Sequence, residues 1–184
     1  MGEVSQLDKQ HLELIRANVR DVIRRAAAEL DAPTAVILDI APQDYLGAAE
    51  FFRLGTIRTL DIDPAAGADY TGDLCEHNAA VADGTFDVVI CTEVLEHTRQ
   101  PFHATTEIHR ILKPGGCVVA TTPFNFRIHG PLPDCWRFTV HGLRELFKAF
   151  DPVHIREYPG VDERFLMPVQ YEVRAYKARG ERVG

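Results

Sequence analysis

The sequence contains neither G-x-G-x-x-G nor G-x-x-x-x-G-K-[ST]. Both motifs press backbone amides onto linked phosphates, so their absence argues against a dinucleotide or a nucleoside triphosphate as ligand. No apolar run approaches the ~18 residues that span a bilayer, and no basic segment followed by an apolar one opens the chain. A cytoplasmic protein without a membrane partner is therefore expected. The cysteines, Cys75, Cys91, Cys117 and Cys135, form no C-x-x-C pair, which removes a thiolate zinc site. Cys91 and Cys117 fall in apolar runs and read as buried reduced thiols. Positive charge is also short: 20 Lys and Arg stand against 27 Asp and Glu, for a formal net charge of −7. Phosphate contacts need Lys and Arg, so that balance disfavours a nucleic acid as partner. The densest basic stretch, "RANVRDVIRR", falls in the second half of a helical pattern, where arginines complement the dipole and read as a solvated face.

What is present is an alternation of helical and strand patterns over 184 residues, a length that suits one domain. Leu12, Ile15, Val19, Val22, Ile23, Ala26 and Leu30 recur at three- and four-residue spacing and predict a helix over 7–30, with Ser5 and Asp8 as its capping box. "AVILDI" reads as a strand buried on both faces. Asp44 can cap a helix running to about Leu54, which Gly55 stops. "TIRTLDI", a weak "ADYTGD" and a strong "FDVVIC" follow as strands. Pro101 then opens a helix that "LKPGG" ends near Leu112. "CVVATT" is the fifth strand, and Thr139 caps a helix carrying Leu143, Leu146, Phe147 and Phe150. "PVHIREY" and "VQYEVRAYKA" are late strands, the second alternating like a half-exposed edge. This order predicts a single α/β domain with a doubly wound, mostly parallel sheet. Its parts are an N-terminal helix (1–32), a ligand-binding half (33–122) and a substrate-side segment with the terminal strands (123–184).

Ligands of such sheets bind outside the carboxyl ends of the strands. The first strand ends at Asp39 and the second at Asp61; the third is followed by Asp73 in "TGDL", and the fourth ends at Cys91, Thr92 and Glu93. An acid after the second strand can accept hydrogen bonds from both ribose hydroxyls. Asp73 can face the exocyclic amine of adenine, with Cys91 to Glu93 as a floor. Each acid taken alone could equally be a helix cap or a solvated loop residue. Together, with no phosphate motif, they suit a nucleoside without a pyrophosphate.

On these residues the sequence resembles the class I S-adenosylmethionine-dependent methyltransferases, over roughly residues 30 to 177. The strongest match is "FDVVICTEVLEHTRQPFHATTEIHRILKPGG", residues 86–116, which is similar to the fourth-strand to fifth-strand block of small-molecule methyltransferases. "TLDIDP" and "GDL" resemble the ribose and adenine motifs. The resemblance implies a seven-stranded, Rossmann-like sheet with an antiparallel last strand. It also implies S-adenosylmethionine as cofactor, S-adenosylhomocysteine as product, and cofactor contacts from Asp39, Ala41, Pro42, Asp61, Ile62, Asp73, Leu74, Cys91, Thr92 and Glu93. The departure is at the first loop. The family usually has an acid followed by glycines, as in "LDIGCGTG"; here Ala41 and Pro42 follow Asp39, and Gly47 comes late. Glycine supplies positive φ and close approach, whereas proline fixes φ and removes a donor.

The acceptor side is expected in "EVLEH" (93–97) and "PFNFRIHGPLPDCWRFT" (123–139), the latter too rich in proline and aromatics for a helix. Long irregular segments at a functional face act as lids or substrate walls. His129 is the first candidate for general base, because histidine titrates near neutrality, with Asp134 to orient it and His97 as a second base. A loop histidine with a structural hydrogen bond is the alternative. Phe124, Trp136 and Arg137 are candidate substrate contacts, although Trp136 could be core packing and Arg137 could pair with Asp134. Glu93, Glu96, His97 and His129 together resemble the metal site of small-RNA 2′-O-methyltransferases, which implies Mg²⁺ or another divalent metal; the alternative is the metal-free use of "EVLEH" in other methyltransferases, with Glu93 on the cofactor and Glu96 starting the next helix. The leading expectation is methyl transfer to a hydroxyl or amine of a small polar molecule, such as a sugar or natural-product intermediate. The alternatives are a catalytically silent methyltransferase-like binding protein and a metal-assisted RNA methyltransferase. The N-terminal helix is a candidate lid or homodimer surface, with core packing as its commoner role.

Overall fold

The structure, a computed structural model, describes residues 5–42, 47–158 and 167–180. The chain enters through α1 (Gln6–Leu30), whose N-cap Ser5 accepts the Asp8 amide at 3.1 Å. The apolar stripe of α1 buries Ile15, Val19, Val22, Ile23, Ala26 and Ala27. A fully buried aliphatic side chain of this size is worth roughly 1.5–3 kcal/mol, so a charge at Val22 would undock the helix.

Strands β1 (Val36–Ile40), β2 (Thr56–Asp61), β3 (Tyr70–Thr71), β4 (Phe86–Thr92) and β5 (Leu112–Pro123) pair in parallel. β7 (Gln170–Tyr176) runs antiparallel between β5 and β6 (Val153–Tyr158), giving the order β3-β2-β1-β4-β5-β7-β6. The chain steps outward from β1 to β3 and then returns to β4 on the other side of β1. The crevice that ligands use opens at this reversal. Side chains alternate between two cores: α1 covers Ile37, Val88, Ile90 and Val119, while α2 (Pro101–Ile111) and α3 (Val140–Leu146) cover Leu38, Val89, Cys91 and Val118. Cys75, Cys91 and Cys117 are buried free thiols, and Cys135 is exposed. No helix among the described residues is long and apolar enough to cross a membrane.

Three expectations are corrected. The helix expected from Asp44 to Leu54 is not formed across the described part of that stretch: a single 3-10 turn, Gly47–Glu50, precedes buried Phe52, and Asp44 lies outside the described residues. The Asp31 carboxylate accepts the Arg53, Leu54 and Gly55 amides at 2.6–3.2 Å, so those donors are satisfied from α1's end and not by a helix. β7 is an interior strand, and the edge is β6. Its polar residues are buried because α1 supplies counter-charges. Glu172 accepts from Arg25 at 2.6 Å and from Arg174 at 2.8 Å, and Arg174 donates to Glu29 at 2.6 Å. The arginines of α1 are therefore not a uniformly solvated face. A hollow of about 220 Å³ beside these charges holds a paired network.

Candidate active site

The carboxyl ends of β1, β2, β3 and β4 open into one cleft of about 940 Å³. That is the upper end of the ~300–1,000 Å³ typical of small-molecule sites. Ala41 and Pro42, Asp61 and Ile62, Asp73 and Leu74, and Glu93 each line it from a successive strand end. His97, Pro131 and Pro133 close it on the opposite side. Asp61 is buried, with Oδ1 holding the Asp63 amide at 2.9 Å, whereas Ile62 is exposed at the mouth. Asp73 Oδ1 braces its own turn by accepting the Cys75 amide at 2.8 Å. A Cβ at Gly72 would stand 1.8 Å from Asn78 Oδ1, so a side chain there would displace Asn78, whose Nδ2 donates to the Asp73 carbonyl at 3.0 Å.

The first loop is built differently from the glycine-rich pattern. Asp39 is 3% exposed and braces the loop from behind, its Oδ2 accepting the Ala48 amide at 2.6 Å. Burial pushes its carboxyl up to about 6, against that hydrogen bond. Gly47 closes onto the same carboxylate so tightly that a Cβ would lie 2.2 Å from Oδ2. The late glycine is thus a packing requirement of the loop, which sequence spacing did not reveal. Ala41 has φ +49°, so the left-handed backbone that glycine would supply is borne by an alanine.

Cys91 and Thr92 are buried in β4 and do not line the cleft. Burial pushes the Cys91 thiol up. Glu93 turns the chain at φ +53°. Its Oε1 accepts from Thr121 Oγ1 at 2.8 Å and from Gln170 Nε2 at 2.6 Å. Burial pushes its carboxyl up to about 7 despite those bonds. Gln170 belongs to the last strand, and no local signal ties it to this site.

After β4 a 3-10 turn, Leu95–His97, carries Glu96 and His97. The segment beyond β5 is stitched to it: the Cys135 and Trp136 amides both donate to the Glu96 carbonyl at 2.7 and 3.2 Å. His97 Nδ1 lies 3.0 Å from the Pro133 carbonyl, and Trp136 Nε1 donates to the Thr98 carbonyl at 2.8 Å. His129 meets Asp134 twice, through its amide at 3.0 Å and Nδ1 at 3.1 Å. Arg137 grips Asp134 with two bonds of 2.6 and 2.7 Å and also reaches the Arg127 and Trp136 carbonyls. It is a strut of the segment. Burial would raise the Asp134 carboxyl, but the Arg137 and His129 bonds outweigh it and hold the group well below the usual carboxylate range. Burial lowers His129, with Asp134 opposing. Trp136 stacks on Phe138 and Phe124 packs on Tyr171, so neither lines the cleft.

The Glu96 and His97 side chains and His129, 32 residues further along the chain, converge, with one ligand atom from each lying within 4.8 Å of the others. Glu96 is fully buried, and burial, together with the charge of Glu93, holds its carboxyl well above the usual range. Glu93 itself stands outside this trio, committed to Thr121 and Gln170.

Residues 46–120 match the family described as Methyltransferase domain. The "Ubiquinone biosynthesis O-methyltransferase" of Xanthomonas oryzae pv. oryzae is 31% identical over 110 residues, covering 52% of this chain and 46% of that protein. The chain spans less than half the length of the curated relatives it matches. Among solved structures, a SAM-dependent methyltransferase from Archaeoglobus fulgidus superposes with a TM-score of 0.66 at 15% identity, over 90% of this chain and 94% of that one. Phosphoethanolamine N-methyltransferase 2 of Haemonchus contortus, solved with phosphomonomethylethanolamine and S-adenosylhomocysteine, gives 0.67 at 14% identity, over 88% and 52%. These likenesses carry the fold, and the matched block carries the β2, β3 and β4 ends of the cleft but not the β1 end at Ala41 and Pro42. Over residues 46–120 the chain is similar to the methyltransferase domain family, and its fold is that of the solved S-adenosylmethionine-dependent methyltransferases.

Proposed function

We propose that the chain transfers the methyl group of S-adenosylmethionine to a hydroxyl or amine of a small polar molecule. The observation that carries this reading is the single cleft with acids from successive strand ends on one side and His97 on the other. The adenosine lies against Asp61, Ile62, Asp73 and Leu74, and the methionine end lies along Ala41 and Pro42. Asp39 supports that end through the loop it braces and does not touch it. The sulfonium is already activated, so the protein's work is to hold the acceptor in line and to manage its proton. The group of His97, His129 and Glu96 stands where that proton leaves, with Asp134 and Arg137 holding His129 in place.

The test is calorimetry with S-adenosylmethionine and S-adenosylhomocysteine, followed by methyl incorporation across sugar, phenol and amine acceptors. Binding of both, with turnover on one acceptor class, is expected. Failure of either to bind at millimolar concentration would remove the reading and leave a silent binding protein.

A further inference from the structure

The turn that carries Asp73 belongs to a stretch, residues 72–85, with no helix or strand of its own. Its buried backbone groups must therefore find partners elsewhere. Two side chains of α2 supply them. Glu107 and Arg110 stand three residues apart, on one face of the helix. Arg110 donates to the two Glu107 oxygens at 2.7 and 2.8 Å, to the Val81 carbonyl at 2.8 Å and to the Asn78 carbonyl at 3.2 Å. Glu107 is buried and accepts the Asn78 amide at 2.9 Å. Burial would raise its carboxyl, but the Arg110 and Asn78 donors outweigh it and hold the group below its usual range. Leu74 and Val81 enter the same core as Ile108 and Ile111, so the stretch is fastened on either side of Asn78. Asn78 passes this support to the cleft. Its Nδ2 donates to the Asp73 and Glu76 carbonyls, both at 3.0 Å, and its Oδ1 fills the space that Gly72 leaves open.

We infer that Asn78 is a positioning residue for base selectivity: held by Glu107 and Arg110, it fixes the Asp73 turn so that the cleft takes a 6-aminopurine over a 6-oxopurine. The selectivity rests on the methyl-transfer reading, which sets adenosine against Asp73; the brace itself does not. A carboxylate can only accept, so it pairs with the exocyclic amine of adenine and meets a 6-oxo group as a second acceptor. Asp73 is exposed in the cofactor-free chain and spends one oxygen on the Cys75 amide, so the turn sets the direction of the other oxygen. Gly72 and Asp73 line the cleft, whereas Asn78 and Glu107 do not. Their effect on the ligand passes through the turn, and a small displacement of a polar group is enough to lose its discrimination.

The test measures S-adenosylhomocysteine and S-inosylhomocysteine affinities of the full chain by calorimetry, with amide hydrogen exchange of the cofactor-free form. The parent should prefer the adenosyl compound by roughly 10–100-fold, the worth of one hydrogen bond to a charged acceptor. In Asn78→Ala and Glu107→Gln that preference should fall toward unity, and exchange at the Cys75 and Val81 amides should quicken. Asn78 is half-buried on a loop, which keeps its variant foldable if Glu107→Gln is not. Thr105→Ala is the control for a loosened helix. It removes the α2 hydroxyl that donates to the Leu146 carbonyl at 3.0 Å, away from the turn, and should leave the preference unchanged. A parent that binds both compounds alike, an undiminished preference in Asn78→Ala, or an equal loss in Thr105→Ala overturns the inference. Failure of the parent to bind S-adenosylhomocysteine removes the methyl-transfer reading and the selectivity with it, while quickened exchange in the same variants would still show the brace.

Discussion

Replacing Ala41 with glycine should stabilise the cofactor-free chain. Ala41 is held at φ +49° by its amide, which donates to the Leu60 carbonyl at 2.8 Å, so the strand pairing fixes the conformation. A left-handed backbone costs an L-residue roughly 1–2 kcal/mol. Glycine removes that cost but returns about 0.5–1 kcal/mol through the greater freedom of the unfolded chain. The net gain is about 0.5–1 kcal/mol. For a chain of this size each kcal/mol moves the melting temperature by roughly 2–4 °C, so a rise of about 1–4 °C is expected. Ala41 also lines the cleft, and losing its methyl should leave S-adenosylhomocysteine affinity equal or better. The assay is thermal unfolding of parent, Ala41→Gly and Ala41→Val without ligand, with calorimetry on the first two. The valine variant is the control, since its β-branch is more strained at positive φ. A glycine variant that melts below the parent, or a valine variant that melts with it, would refute the argument.

Asp39 gives a pH signature. Its carboxyl, near 6 in the fold against about 3.9 unfolded, stabilises the apoprotein fully below pH ~4 and loses that contribution as pH rises through about 6, on the order of 3 kcal/mol. Urea unfolding from pH 4 to 8 should show this loss in the parent and not in Asp39→Asn; parallel profiles would exclude it. Asp39→Ala should also weaken S-adenosylhomocysteine by loosening the loop, and a tighter-binding variant would show the pocket misplaced. Asp61→Ala should reduce that affinity by about 10–100-fold, the worth of one charge-assisted hydrogen bond, and an unchanged isotherm would place the ribose elsewhere. Glu172→Ala leaves Arg25 and Arg174 without their shared partner and should cost about 3 kcal/mol in urea unfolding; a loss under about 1 kcal/mol would count against the network.

The strands were legible because β1, β4 and β5 are apolar on both faces, and that pattern depends only on burial. α1 was legible for the same reason, through its stripe and its Ser5 cap. The edge assignment of β7 failed because its alternating polar residues meet partners on α1, 145 and 147 residues away in the chain. Alternation reports that one face is polar, and says nothing of whether that face is wet. The first-loop helix failed where Asp31 and Asp39 take the backbone amides that a helix would have used. In the site, Asp61 and Asp73 were readable from their positions at strand ends, and both line the cleft. Asp39 shared that signal but turned inward, a distinction set by Gly47 and invisible in spacing. The grouping of Glu96 and His97 with His129 was suggested by the resemblance. That Glu93 stands apart depends on Gln170 of β7.

The bonds that fasten residues 133–136 to the turn after β4 use main-chain atoms for the most part, with only the His97 ring and the Trp136 indole as side-chain partners. The tip ahead of them is open to solvent, with Ile128 73% and Leu132 76% exposed. Such an arrangement separates anchorage from selectivity. Side chains at 128 and 132 can therefore change while the fastening, and with it the wall that Pro133 and His97 give the cleft, stays as it is.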